Sequence, residues 1–135
     1  MDIKEFLLRY AIKNYNFSGL NLAGAKLSYI DLADADLSGA NLSRAALNGV
    51  DLRRANLGGA DLRGADLCDA NLSDSNLADA NLEGSLLLRA NLTDANLSGA
   101  NLRWAALTHV TPNDINLSSA IVNQTVVPRG YVSNQ

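Results

Sequence analysis

From Phe17 to Val122 every fifth residue is apolar with one exception, and nearly all are leucine: Leu22, Leu27, Leu32 and so on to Leu107, then Leu117 in the same register. Two places before each leucine stands a small residue, usually Ala or Ser, as at Ala25, Ala35, Ala40, Ser75 and Ala100. One place before it usually stands Asp or Asn, as at Asn21, Asp31, Asp51 and Asn91. This spacing excludes both ordinary elements. On an α-helix five residues leave a net rotation of roughly 140° per leucine, so the leucines would scatter around the axis. In an extended strand five is odd, so successive leucines would face opposite ways. All of them can face one core only if the chain turns a corner once per repeat.

The number of corners per coil is also readable. Two residues after the leucines lie columns that recur every twenty residues: Gly19, Gly39, Gly59 and Gly99; Gly24, Gly64 and Gly84; Asp34, Arg54, Asp74, Asp94 and Asp114. Twenty residues are four repeats, so the coil is expected to be four-sided. Glycine suits a corner that needs positive φ, and Asp can bond its own backbone in a turn. The columns therefore predict corners of different type on different sides.

A run of Ala-Asp/Asn-Leu-x-x units from Leu20 to Ala120 resembles the pentapeptide-repeat proteins, in particular their small cyanobacterial-type members. The resemblance implies an all-β, right-handed, four-sided parallel β-helix with a short N-terminal capping helix. In it the leucine and the small residue point inward, and the Asp or Asn faces outward to support the turn. Leu22, Leu42, Leu62, Leu67, Leu82, Leu87 and Leu102 are expected core. About five and a half coils at the ~4.8 Å strand spacing give a rod of roughly 25 Å. Stability in such a stack is mostly nearest-neighbour, and both ends need caps.

Three segments follow: a capping helix over 1–15, the repeats over 16–125 and an irregular tail over 126–135. Asp2 and Glu5 have the spacing of a capping box, and Ile3, Phe6, Leu7, Tyr10 and Ala11 recur at helical spacing. The expected role is a lid over the first leucine layer rather than a membrane-surface helix, because only Lys4, Arg9 and Lys13 could serve a lipid surface. At the far end Pro112 replaces a core leucine without shifting the register of Leu117. An apolar tail of Ile121, Val122, Val126, Val127, Pro128 and Tyr131 follows. It does not resemble the C-terminal dimer-forming helix of the gyrase-protecting members.

Chemistry-bearing residues are few. His109 is the single histidine and falls in a corner column with Arg89 and Asp69. Cys68 is the single cysteine, which excludes an internal disulfide and points to a reducing compartment, the cytoplasm. Asp66 and Asp69 flank it, which argues against a reactive thiolate. No Ser-His pairing, metal-ligand cluster or phosphate-cradling loop is present, and a filled solenoid offers no pocket. No enzymatic activity, cofactor or small-molecule substrate is expected. The formal charge of −3 opposes non-specific binding to nucleic acid or anionic membrane. No apolar run approaches a membrane span, and Met1-Asp2-Ile3-Lys4-Glu5 lacks the start of a signal peptide.

One side departs from the pattern. Around Leu27, Leu47, Leu67, Leu87 and Leu107 the outward Asp or Asn is replaced by Lys26, Ala46, Leu86 and Ala106, and only Asp66 conforms. Leu86 and Leu88 flank an inward leucine, so both should face solvent, with Trp104 at the adjoining corner. Leu86, Leu88, Trp104 and Ala106 form the candidate interaction patch for a protein partner or a second copy. The alternative function is DNA mimicry toward a type II topoisomerase. Duplex DNA carries one negative charge per ~1.7 Å. This rod carries about one per 8 Å, and Arg53 and Arg54 interrupt its best acidic column.

Overall fold

The structure is a computed structural model that describes residues 1–129 and Tyr131. Parallel bridges join residues twenty apart on every side: Asn16 to Asp36, Asn21 to Asn41, Lys26 to Ala46 and Asp31 to Asp51, and so on up the rod. One coil is therefore four repeats. Side 1 carries Phe17, Leu37, Leu57, Leu77, Leu97 and Leu117; side 2 runs from Leu22 to Leu102, side 3 from Leu27 to Leu107 and side 4 from Leu32 to Leu92. Each side is so short that a single residue bridges its neighbours. The solenoid is a ladder of isolated bridges rather than of long strands.

Three backbone hydrogen bonds per repeat tie coil to coil. In the repeat of Leu42, the Leu42 N–H donates to Asp61 O at 2.7 Å and the Arg44 N–H to Arg63 O at 2.8 Å, while the Asn41 N–H donates down to Leu20 O at 2.9 Å. A fourth closes the corner, from Ala45 N–H to Leu42 O at 3.0 Å. The corners carry positive φ at their third residue, as a type II turn does. Every fifth residue from Gly19 to His109 supplies it, whether glycine (Gly39, φ 64°) or not (Asp74, φ 59°; Trp104, φ 62°). The columns therefore mark no difference in corner conformation, contrary to the expectation of mixed types. Ladder bonds on both flanks impose one backbone path on every corner, and the side chain has no vote.

The inward positions behave as the period demands. The inward leucines from Leu22 to Leu87 are at most 3% exposed, and the inward alanines between them at most 4%. Each buried leucine contributes on the order of 1.5–3 kcal/mol. Ser75 and Ser85 take alanine positions, and neither buried hydroxyl has a hydrogen-bond partner.

At the N-terminus, α1 (Ile3–Ala11) lies against the first coil. Phe6 is buried, its ring 4.4 Å from that of Phe17, with Tyr10 and Tyr15 completing an aromatic cluster. The capping box does not form. Asp2 makes no cap bond and instead accepts the Asn21 N–H at 2.7 Å, while Glu5 pairs with Arg9 at 2.7 Å. Asp2 thereby ties the start of the helix to the coil. Leu7 and Ala11, expected on the packed face, are exposed, as are Leu8 and Ile12. No helix among the described residues is long and apolar enough to cross a membrane.

Near the other end the ladder breaks and re-forms. Pro112 sits half-buried in the leucine position, and Asn96 has no bridge to Asn116, but Asn101 bridges Ile121 and Ala106 bridges Val126. Side 3 thus stays in register to Val126, into the segment expected to be irregular. Val122 and Val127 occupy leucine positions but are 38% and 37% exposed, since no described residue bridges either of their sides from above. Of the tail expected over 126–135, residues 130 and 132–135 lie outside the described residues.

Two stability measurements test this packing. Leu67→Ala should cost about 2–5 kcal/mol in urea unfolding, whereas Ser73→Ala should be near neutral. Equal effects would contradict the inward and outward assignment. Ser85→Ala should leave stability unchanged or raise it by up to about 1 kcal/mol, since it deletes a buried hydroxyl without a partner; a clear loss would mean that the hydroxyl is bonded in solution.

Candidate docking face

On three sides the residue before the leucine does the same job. Its Oδ1 accepts the N–H of the residue after the leucine: Asn41 from Ser43 at 3.0 Å, Asp31 from Ala33 at 3.0 Å, Asn56 from Gly58 at 3.0 Å. These Asp and Asn side chains are covers for an outward backbone donor. Side 3 has one such cover, Asp66 accepting the Cys68 N–H at 3.0 Å. At Lys26, Ala46, Leu86 and Ala106 no acceptor is available, and the N–H groups of Ser28, Asn48, Leu88 and Thr108 make no hydrogen bond to any described residue.

What replaces the covers is apolar. Leu86 bridges Ala106, which bridges Val126, so the three stand on consecutive rungs in one outward column. Leu86 is 47% and Val126 54% exposed, with Ala106 half-buried between them. Val126 was not among the expected patch residues, although carrying the twenty-residue count one coil further finds it. Leu88, expected in solvent, is half-buried: Cys68 and Thr108 stand one rung below and above it in the same column and cover its flanks.

Trp104 is 64% exposed but faces another neighbourhood. It lines an open notch of about 510 Å³ on side 2 with Ser43, Arg44, Arg63, Gly64, Glu83 and Gly84, and none of Leu86, Leu88 or Ala106 borders that notch. The four expected patch residues therefore divide between two sides, three on side 3 and the tryptophan on side 2.

The remaining polar candidates form surface pairs. Burial, then the hydrogen bond to Asp66, pushes the Cys68 thiol up from its ordinary value, so it stays protonated and poorly nucleophilic. His109 is exposed above Arg89, whose guanidinium holds Asp69 through bonds of 2.7 and 2.9 Å. In the acidic column Arg54 grips Asp34 at 2.8 and 2.9 Å, and on the neighbouring sheet position Arg53 grips Asp51 at 2.7 Å. Among the described residues no three metal-ligating side chains cluster.

A family model described as pentapeptide repeats matches residues 16–54, 51–87 and 75–111. Three solved structures are similar. A pentapeptide repeat protein from the thylakoid lumen of Arabidopsis thaliana is 37% identical over 65% of this chain and 61% of its own, with a TM-score of 0.64. HetL, a pentapeptide repeat protein involved in heterocyst differentiation regulation in the cyanobacterium Nostoc, is 34% identical over 93% of this chain and 65% of its own, also at 0.64. A further Nostoc pentapeptide repeat protein is 32% identical over 90% of this chain and 95% of its own, at 0.59. The chain spans less than two thirds of the first two. No functionally curated protein matches it.

The carboxyls of Asp34, Asp51, Asp61 and Asp69 all lie below the ordinary value of 3.8, chiefly because each accepts an arginine hydrogen bond. A folded pKa below the unfolded one gives stability that is present above the unfolded value and lost as pH falls through the folded one. The urea midpoint should therefore hold steady from neutral pH to about pH 4 and decline below it. Because the pairs are exposed, the decline should be small and should shrink in high salt. A loss concentrated between pH 5 and pH 7 would contradict this assignment.

Proposed function

The chain belongs to the pentapeptide repeat family, and from that membership we propose that it is a non-catalytic rod that docks a protein partner, or a second copy of itself, through side 3. The observation that carries the reading is the stripe Leu86–Ala106–Val126, where the outward position that holds Asp or Asn through the middle of the other three sides is apolar over three consecutive rungs. Interface centres are depleted in charge, and this stripe carries none. In this reading α1 is the lid of a right-handed β-helix, its Phe6 closing the first core layer. The solenoid interior is filled by side chains and leaves no room for a substrate, and the cytoplasm remains the proposed location.

DNA mimicry finds no support in the charge arrangement. It needs an unbroken acidic column, and here Arg54 neutralises Asp34 and Arg89 neutralises Asp69 through paired hydrogen bonds. What remains is a rod of mixed charge.

Leu86→Lys combined with Val126→Lys should leave the circular dichroism and the unfolding midpoint of the rod nearly unchanged, because both side chains point outward. The same variant should lose any dimer detected by sedimentation and any partner retained by wild type from a native lysate. If wild type and variant are both monomeric and retain the same proteins, side 3 is not the docking face.

A further inference from the structure

The uncovered backbone donors of side 3 say what kind of surface fits it. The Leu88 and Thr108 N–H groups stand on consecutive rungs, beside the apolar stripe, in the place where every other side has an Asp or Asn oxygen. A purely apolar partner laid over the stripe would bury both donors without acceptors, at the full desolvation cost of each. The partner must bring oxygen atoms to them.

The spacing selects the element that carries those oxygens. Consecutive rungs lie about 4.8 Å apart along the rod. Side chains three residues apart on an α-helix advance about 4.5 Å, whereas same-face residues of an extended strand advance about 6.7 Å. We infer that the occupant of side 3 is an amphipathic α-helix of a partner protein lying along the rod axis. It carries Asp, Asn or Glu at three-residue spacing opposite the Leu88 and Thr108 donors, and aliphatic side chains against Leu86, Ala106 and Val126. This rests on the docking role proposed for side 3 and adds the chemistry of the partner. A second copy of the rod has the Oδ1 atoms of its outward Asp and Asn residues engaged by its own backbone on three sides, and a wild-type dimer in sedimentation that is lost on both Leu86→Lys and Thr108→Pro would make a second copy the occupant instead of a helix.

The geometry supplies variants that remove the donors while preserving the rod. Ala106→Asn places an oxygen over the Thr108 N–H as Asp66 does over that of Cys68. Thr108→Pro deletes the N–H at the second place of a turn that favours proline, and Pro128 already stands in the next position of this column. Thr108→Val keeps the N–H and changes only the side chain.

The probe is a display library of helix-biased random peptides, selected on the full chain and retested on each variant. Selected helices should repeat Asp, Asn or Glu beside aliphatic residues. They should bind Ala106→Asn and Thr108→Pro roughly tenfold more weakly than wild type, the worth of one buried hydrogen bond, and bind Thr108→Val as wild type. Both weakened variants should unfold at an equal or higher urea midpoint. Helices without acceptors that bind Thr108→Pro undiminished yet are lost on Leu86→Lys would overturn the donor inference and leave the docking face standing. Binding indifferent to Leu86→Lys, or no selected helix at all, would overturn both.

Discussion

The hydrogen bond from the inward N–H to the carbonyl one coil above, made at every leucine position from Phe17 to Leu92 and again at Leu102 and Leu107, is the constraint on which the rest of the molecule rests. It fixes the coil at twenty residues, because only then does every leucine stand beneath another. It forces each corner into a single backbone path, since a bond made before the corner and another made at it leave no alternative. It also orients the outward N–H after the leucine, and that creates the need for the Asp or Asn cover. Sequence pattern, corner strain and surface chemistry are consequences of one repeated contact.

The energetics follow from how little each repeat does alone. A side with one bridging residue cannot persist without the coils above and below it, and its leucine fills only a quarter of the cross-section. Coupling is therefore entirely between neighbours. This explains why the two ends look unlike the middle. At the first layer Phe6 packs its ring against that of Phe17 and is itself buried. At the opposite end Val122 and Val127 stand in leucine positions but are exposed among the described residues.

Much of this was legible in the sequence, because an inward position tolerates one size of side chain and so writes a clean period. Leu22, Leu67 and Leu102 needed no structure to place them, and neither did the loss of Asp and Asn along side 3. The corners were misread for the opposite reason. Tyr29, Asp34, Arg44, Trp104 and Gly39 all adopt the same φ, so residue type there carries no conformational information. Asp2 and Glu5 were misread because a local motif competes with distant donors, and the Asn21 N–H won the Asp2 carboxylate. Trp104 could be assigned to a corner but not to a side: a large side chain at an edge can lean either way, and only its neighbours Gly84 and Arg63 decide it.

The indifference of the corner backbone to its side chain has a consequence for how such a surface changes. Each outward residue has a fixed address, given by its coil and its side, and it shares its backbone path with every residue in the same role. A substitution at one address leaves the positions of all the others where they were. The rod is in this sense a pegboard: pegs can be exchanged one at a time, and a new pattern of charge or apolar contact can be written without redrawing the board.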